Sequence, residues 1–405
     1  MGEGIVTRTL LVIGHGMVGH RLVDQLRALD TDHAWRIVIA AEEHYPAYDR
    51  VGLSSYLDGK SKSDLTLAGA DFLTDPRMDL LLGCPVISVD RTARTAQTTH
   101  GDRISYDALV LATGSRPFVP PVPGNNLTGC FVYRTFDDLD ALRAAARPGR
   151  PGVVVGGGLL GLEAANALRL LGMRPHVVET GPHLMPAQLD SGAGRVLHQH
   201  VTELGLRVHC GTATASIDTG ANGKVRAVTL SDGTVLEADL VVFSAGIRPR
   251  DELADAMGLE RGERGGFAVD DLCRTADERV WAIGECAAVN GRCYGLVAPG
   301  YRMAESVAHQ LTGQKPEPFT STDNSTTLKL LGVKIAAFGA VRPDHGRAVE
   351  VVFAEGTDRY AKILLNEDSG DLLGGILAGD TGSWTAIRSL VGHRPPTDLE
   401  QLLLP

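Results

Sequence analysis

The sequence predicts an α/β chain of two similar halves followed by a small C-terminal α+β domain. Three observations predict it. The turn Gly14-His15-Gly16-Met17-Val18-Gly19 joins an apolar run to an amphipathic one. The turn Gly156-Gly157-Gly158-Leu159-Leu160-Gly161 does the same further along. Each half then closes alike, with an Asp, an apolar run, and a small residue followed by Gly-x-Arg-Pro: Asp107 to Pro117 in the first, Asp239 to Pro249 in the second.

The first half begins with a predicted strand at Leu10–Ile13. A helix is predicted from Met17 to Leu29, because Val18, Leu22, Val23, Leu26 and Leu29 recur at helical spacing. A second predicted strand, Arg36–Ala40, leads to Glu42 and Glu43, which lie 23 and 24 residues past Gly19. The second half repeats this. Val153–Val155 leads into a predicted helix from Leu159 to Leu171, stopped by Gly172. The strand His176–Val178 then ends at Glu179, 18 residues past Gly161. Gly14 to Gly114 spans 100 residues and Gly156 to Gly246 spans 90, so a whole unit is duplicated. The expected fold is two Rossmann-like dinucleotide-binding domains of the three-layer ββα type, with the C-terminal α+β domain appended.

A third glycine-bearing strand end, Val280 to Cys286, returns to the first half, and a helix is predicted at Tyr301–Leu311. Residues 314–318, Gln-Lys-Pro-Glu-Pro, read as a linker. Beyond it, Leu328–Leu331, Ile335–Phe338, Val349–Phe353 and Tyr360–Leu365 read as strands, of a small α+β or mostly β domain. The expected domains are 1–118 with 244–316, then 119–243, then 317–405.

Composition narrows the function. The net charge is −10 and no Lys/Arg cluster forms a basic footprint, which argues against a nucleic-acid partner. The six cysteines contain no C-x-x-C, which argues against a metal or iron–sulfur set and against a redox disulfide. No run of about 18 apolar residues exists, so no membrane span is expected, and Met1–Thr9 lacks a signal-peptide core. A cytoplasmic protein, monomer or homodimer, follows as the expectation.

Glycines at this spacing let the backbone approach a pyrophosphate, and the helix N-terminus then favours its charge. The acid closing the second strand takes up ribose hydroxyls: Glu42 or Glu43 for one nucleotide, Glu179 for the other. A carboxylate at Glu179 suits a free 2′-hydroxyl. No arginine lies among residues 180–185 to receive a 2′-phosphate, so NADH is favoured over NADPH.

The segments Gly14–Gly19, Ala112–Pro117, Gly156–Glu163, Ala245–Pro249 and Ala282–Cys286 together resemble the pyridine nucleotide-dependent FAD reductases of the flavoprotein disulfide reductase fold. The resemblance implies that the first turn, with Gly14, Gly16, Met17 and Gly19, holds FAD. The second, with Gly156, Gly158, Leu159, Leu160 and Gly161, then holds NADH. It also implies cofactor contacts at Ala112, Thr113, Gly114, Ala245, Gly246 and Gly284. Glu285 would stand where the family usually has Asp, beside the ribityl–pyrophosphate region. Arg50 and Arg116 would hold the FAD phosphate or ring edge.

More narrowly, Pro46-Ala47-Tyr48-Asp49-Arg50-Val51 with Leu53-Ser54-Ser55-Tyr56, and Gly295 to Tyr301, resemble the N-terminal FAD region of the NAD(P)H nitrite reductase large subunit. The iron–sulfur and sirohaem segments of that subunit have no counterpart here, so an electron-input module is expected. In related ferredoxin and rubredoxin reductases a lysine follows the Leu-Ser pair and meets the Glu of the second glycine motif near the flavin. Here Ser55 stands at that position beside Ser54, Glu163 is retained, and Lys329 is the residue that would compensate. Residues 50–60 contain no cysteine, which argues against thiol–disulfide chemistry. The expected activity is hydride transfer from NADH to FAD, then electrons to a separate redox protein of ferredoxin, rubredoxin or nitrite reductase type. The alternative is a stand-alone reductase of a quinone, nitro or N-oxide compound.

Overall fold

A computed structural model of the protein describes residues 7–220, 223–320, 326–328, 332, 334–342, 347–355, 358–396 and 403. The chain divides into two compact units: Met1–Arg116 with Ile247–Ser321, and Pro117–Gly246 with Thr322–Pro405.

In the first unit, Arg8–Ile13 is the central strand of a five-stranded parallel sheet. Trp35–Ala40 and then Met78–Leu81 lie on one side; Ala108–Leu111 and then Val280–Ala282 lie on the other. Leu10, Leu11 and Val12 are fully buried, as expected for a parallel strand covered on both faces. The second unit repeats the pattern around Pro151–Val155. Arg174–Glu179 and Arg207–Cys210 flank one side; Leu240–Phe243 and Cys130–Val132 flank the other. Each unit adds a three-stranded antiparallel sheet, Val86 to Ser105 in one and Thr214 to Glu237 in the other. The duplication read from the sequence is therefore carried through the strand order. The units differ in the outer strand beside the closing strand. The first takes it from downstream, at Val280–Ala282; the second takes it from upstream, at Cys130–Val132.

The helix Met17–Leu29 buries Leu22, Val23 and Leu26 against the first sheet. The helix Val297–Leu311 packs on it through Met303, Ala304 and Val307. This helix starts four residues before the predicted Tyr301. Pro299 and Gly300 read as breakers, but Pro299 lies in the first turn, where an amide has no helical partner to lose. Gly300 is required there because Val18 fills the space a Cβ would take. The second glycine-turn helix runs Leu159–Leu170, ending one residue short of the expectation, with Leu171 as its cap.

Asp75 shows how a surface loop is fixed to this unit. It accepts from Arg27 Nε at 2.8 Å and from Arg77 Nη2 at 2.8 Å. The bonds from Arg77 outweigh the burial that opposes them and hold its carboxyl well below the ordinary 3.8. This contribution is complete above that value and is lost as the pH falls below it. Asp75→Asn should therefore lower stability by about 2 kcal/mol at pH 7. Its melting temperature should converge on wild type in acid scans; equal melting at pH 7 would refute the reading.

The C-terminal strands form an antiparallel sheet in the order Thr326–Leu328, Ile335–Gly339, Leu372–Ala378, Arg359–Asn366, Ala348–Glu355. Its core contains Ala336, Phe338, Ile363 and Leu377. Of the predicted strand Leu328–Leu331, residues 329–331 lie outside the described residues. The helix Ser191–Glu203 meets this sheet through Asp190, which accepts from Tyr360 Oη at 2.7 Å and from Lys362 Nζ at 2.9 Å.

Candidate cofactor site

Both glycine turns sit at the carboxyl ends of central parallel strands, each with a helix beginning immediately after. Gly14 has φ +107° and donates its amide to Ala40; Gly156 has φ +116° and donates to Val178. A Cβ on Gly14 would strike the Ala112 carbonyl, and one on Gly156 the Ser244 carbonyl. These two glycines are required by the fold itself.

Gly16 and Gly158 are different. Each is a helix N-cap with ordinary extended backbone, φ −84° and −77°. A Cβ on either would meet nothing within 4 Å. Ser, Thr, Asp or Asn would stabilise these helices better by capping an orphan amide. Neither helix has a side-chain cap or an acid in its first turn. Among the described residues, no contact requires glycine at either place. Open space in front of uncapped amides, at the positive end of a helix, is what a pyrophosphate requires. The residues fit two dinucleotides, one per unit. Met17 opens the first helix, while Leu159 and Leu160 open the second; Gly19 and Gly161 let each helix pass close to its own turn.

The predicted acids are placed at their strand ends but have distinct surroundings. Glu43 pairs with Arg50 and accepts from Tyr48 Oη at 2.7 Å, while Arg50 also donates to Tyr48 Oη at 2.8 Å. Glu42 is half-exposed and pairs with Arg250. Glu179 is buried, and its carboxylate accepts from the amides of Gly157 and Gly181, each at 2.7 Å. It therefore fixes the second glycine turn.

Glu285 lies in the short 3₁₀ segment Gly284–Cys286 and accepts from Ser115 Oγ at 2.8 Å. Thr113 donates to the Arg250 carbonyl at 2.5 Å. Ala112 is buried and Gly114 has φ +69°. Ala245 and Gly246 follow the closing strand of the second unit, with φ +105° at Gly246. Arg116 is mostly exposed and pairs with Glu252 at 2.6 Å. Ser54 and Ser55 lie in the helix Leu53–Leu57, where the Ser55 hydroxyl donates to Gly52 at 2.6 Å. Glu163 is buried in the helix Leu159–Leu170. Lys329 lies outside the described residues.

Two residues at the first turn escaped the sequence reading. His15 accepts from the Ala47 amide through Nδ1 at 3.2 Å, so Nε2 carries the proton. Burial, reinforced by His20, lowers its pKa to about 3 and keeps it neutral. Arg250 is the other. Its signal was its place, directly after the second Arg-Pro.

Two duplicated dinucleotide units, each with an open, uncapped glycine turn, define a two-nucleotide oxidoreductase. The chain belongs to the pyridine nucleotide-disulphide oxidoreductase family, which it matches over residues 8–310, and residues 325–394 match the rubredoxin NAD+ reductase C-terminal domain. It is accordingly an FAD-dependent NAD(P)H oxidoreductase. It is 47% identical to the nitrite reductase [NAD(P)H] large subunit of Klebsiella oxytoca over 98% of this chain and 41% of that protein. It is 30% identical to the rubredoxin-NAD(+) reductase of Alcanivorax borkumensis over 92% of this chain and 95% of that protein. A solved ferredoxin reductase from Rhodopseudomonas palustris superposes with TM-score 0.83 at 28% identity, over 94% of this chain and 93% of that one. The chain spans less than half the length of the bacterial nitrite reductase subunits it matches. Among the described residues, no helix is long and apolar enough to cross a membrane.

Proposed function

We propose that this chain takes hydride from NADH and delivers electrons to a separate redox protein of ferredoxin, rubredoxin or nitrite reductase type. The observation that carries the reading is the pair Gly16 and Gly158, N-cap glycines with open space in front of uncapped helix amides. Flavin, when bound, accepts the hydride and releases electrons singly or in pairs. The chain's residues bind and orient. The Met17 helix N-terminus and Arg50 hold the FAD phosphates, and Glu285, positioned by Ser115, holds the ribityl side. The Leu159 helix N-terminus holds the NADH pyrophosphate, and Glu179 its ribose. Residues 317–405 serve as the interface domain, and the six free thiols suit a reducing cytoplasm.

The names of the relatives favour a protein acceptor: rubredoxin in one, ferredoxin in another. The test is reoxidation. NADH-reduced protein, mixed anaerobically with a rubredoxin, a ferredoxin or a quinone, should favour a protein acceptor by at least about tenfold in kcat/KM. Faster turnover of the quinone would replace this reading with the small-molecule one.

Nucleotide choice gives a second check. A 2′-phosphate would meet the buried Glu179 carboxylate. Glu179→Ala should lower the NADH-to-NADPH ratio of kcat/KM by about tenfold, the scale of one like-charge contact. An unchanged ratio would remove Glu179 from selectivity.

A further inference from the structure

The main chain of Arg250 is fixed to the end of the closing strand Ala108–Leu111. Its amide donates to the Gly114 carbonyl at 2.9 Å, and its carbonyl accepts from the Thr113 hydroxyl at 2.5 Å. Its side chain ends elsewhere, on Glu42, two residues past the strand Trp35–Ala40. The strand order places Arg8–Ile13 between those two strands. Adjacent strands lie about 4.8 Å apart, so Arg250 bridges strand ends roughly 9.6 Å apart. A line joining those strand ends crosses the end of the middle strand, from which the Gly14–Gly16 turn leads.

We propose that Arg250 and Glu42 form a strap across the mouth of the FAD site, slowing release of the cofactor and placing a cation beside its phosphates. The inference rests on the reading of Gly14–Gly19 as the FAD turn. It distinguishes the two acids. Both Glu43 oxygens are engaged by Arg50 and Tyr48, whereas Glu42 is the half-exposed partner of a residue from a distant segment. An ion pair this exposed adds little to fold stability, so loss of the strap should be read in the cofactor and not in the melt.

The experiment measures FAD release from the holoprotein, by the rise in flavin fluorescence after large dilution into flavin-free buffer. Arg250→Ala should speed release about tenfold, the scale of losing one charge-assisted contact, with association changed less than about twofold. Glu42→Gln should speed it less, and Arg250→Lys should restore most of the wild-type rate. Arg36→Ala, which breaks a surface pair with Asp79, should leave it unchanged. Raising salt should accelerate release from wild type more than from Arg250→Ala. Wild-type protein that binds no FAD would overturn the underlying reading. Wild type that holds FAD while Arg250→Ala releases it at the same rate would overturn the strap alone. An equal acceleration in Arg36→Ala would also overturn it.

Discussion

Gly158→Ala is expected to weaken NADH binding about 100-fold while leaving the fold intact, a loss of roughly 2.7 kcal/mol. The backbone there is extended and allowed for any residue, and the added methyl meets no atom of the protein. Replacing an N-cap glycine with alanine costs the helix about 0.5–1 kcal/mol. The methyl stands instead where the pyrophosphate must approach the first amides of the helix Leu159–Leu170. Titration with NADH, read against thermal melting and FAD content, separates the effects. Gly161→Ala is the contrasting control: its Cβ would strike the Gly156 carbonyl, so stability and NADH binding should fall together. If Gly158→Ala binds NADH like wild type, the second turn is not the nucleotide site.

Asp190→Ala is expected to destabilise the second unit by about 3 kcal/mol. The carboxylate caps the helix Ser191–Glu203 through the Ala193 amide at 3.0 Å and receives the Tyr360 hydroxyl. It is also the nearer counter-ion of Lys362, whose side chain is only 5% exposed; Glu350 lies farther off at 3.6 Å. Removing Asp190 leaves a buried ammonium with one distant partner. Lys362→Met should cost less, because methionine refills the volume and Asp190 keeps its other two bonds. Urea unfolding reads both variants. A loss below about 0.5 kcal/mol for Asp190→Ala would contradict this account of how the C-terminal sheet is held.

The legible parts of this fold were those that local pattern dictates. The helix Met17–Leu29 lies where its apolar spacing and flanking glycines place it. The duplication was legible because both halves repeat the same punctuation. The early start of Val297–Leu311 was not, since a Pro-Gly pair argues locally for a break and only packing against Val18 shows otherwise. The candidate site was legible in its glycines and strand-end acids. Its supporting bonds were not. Nothing in spacing tells that Ser115 reaches Glu285, that Arg250 crosses to Glu42, or that Tyr360 and Lys362 converge on Asp190. Those pairs join segments more than 150 residues apart.

In the proposed function, one nucleotide reduces another held on the same chain. Anaerobic stopped-flow mixing of the FAD-loaded protein with NADH tests it most directly. Oxidised flavin absorbance should be lost rapidly with NADH, more slowly with NADPH, and more slowly at low NADH in Gly158→Ala. Flavin that stays oxidised with both nucleotides would contradict it.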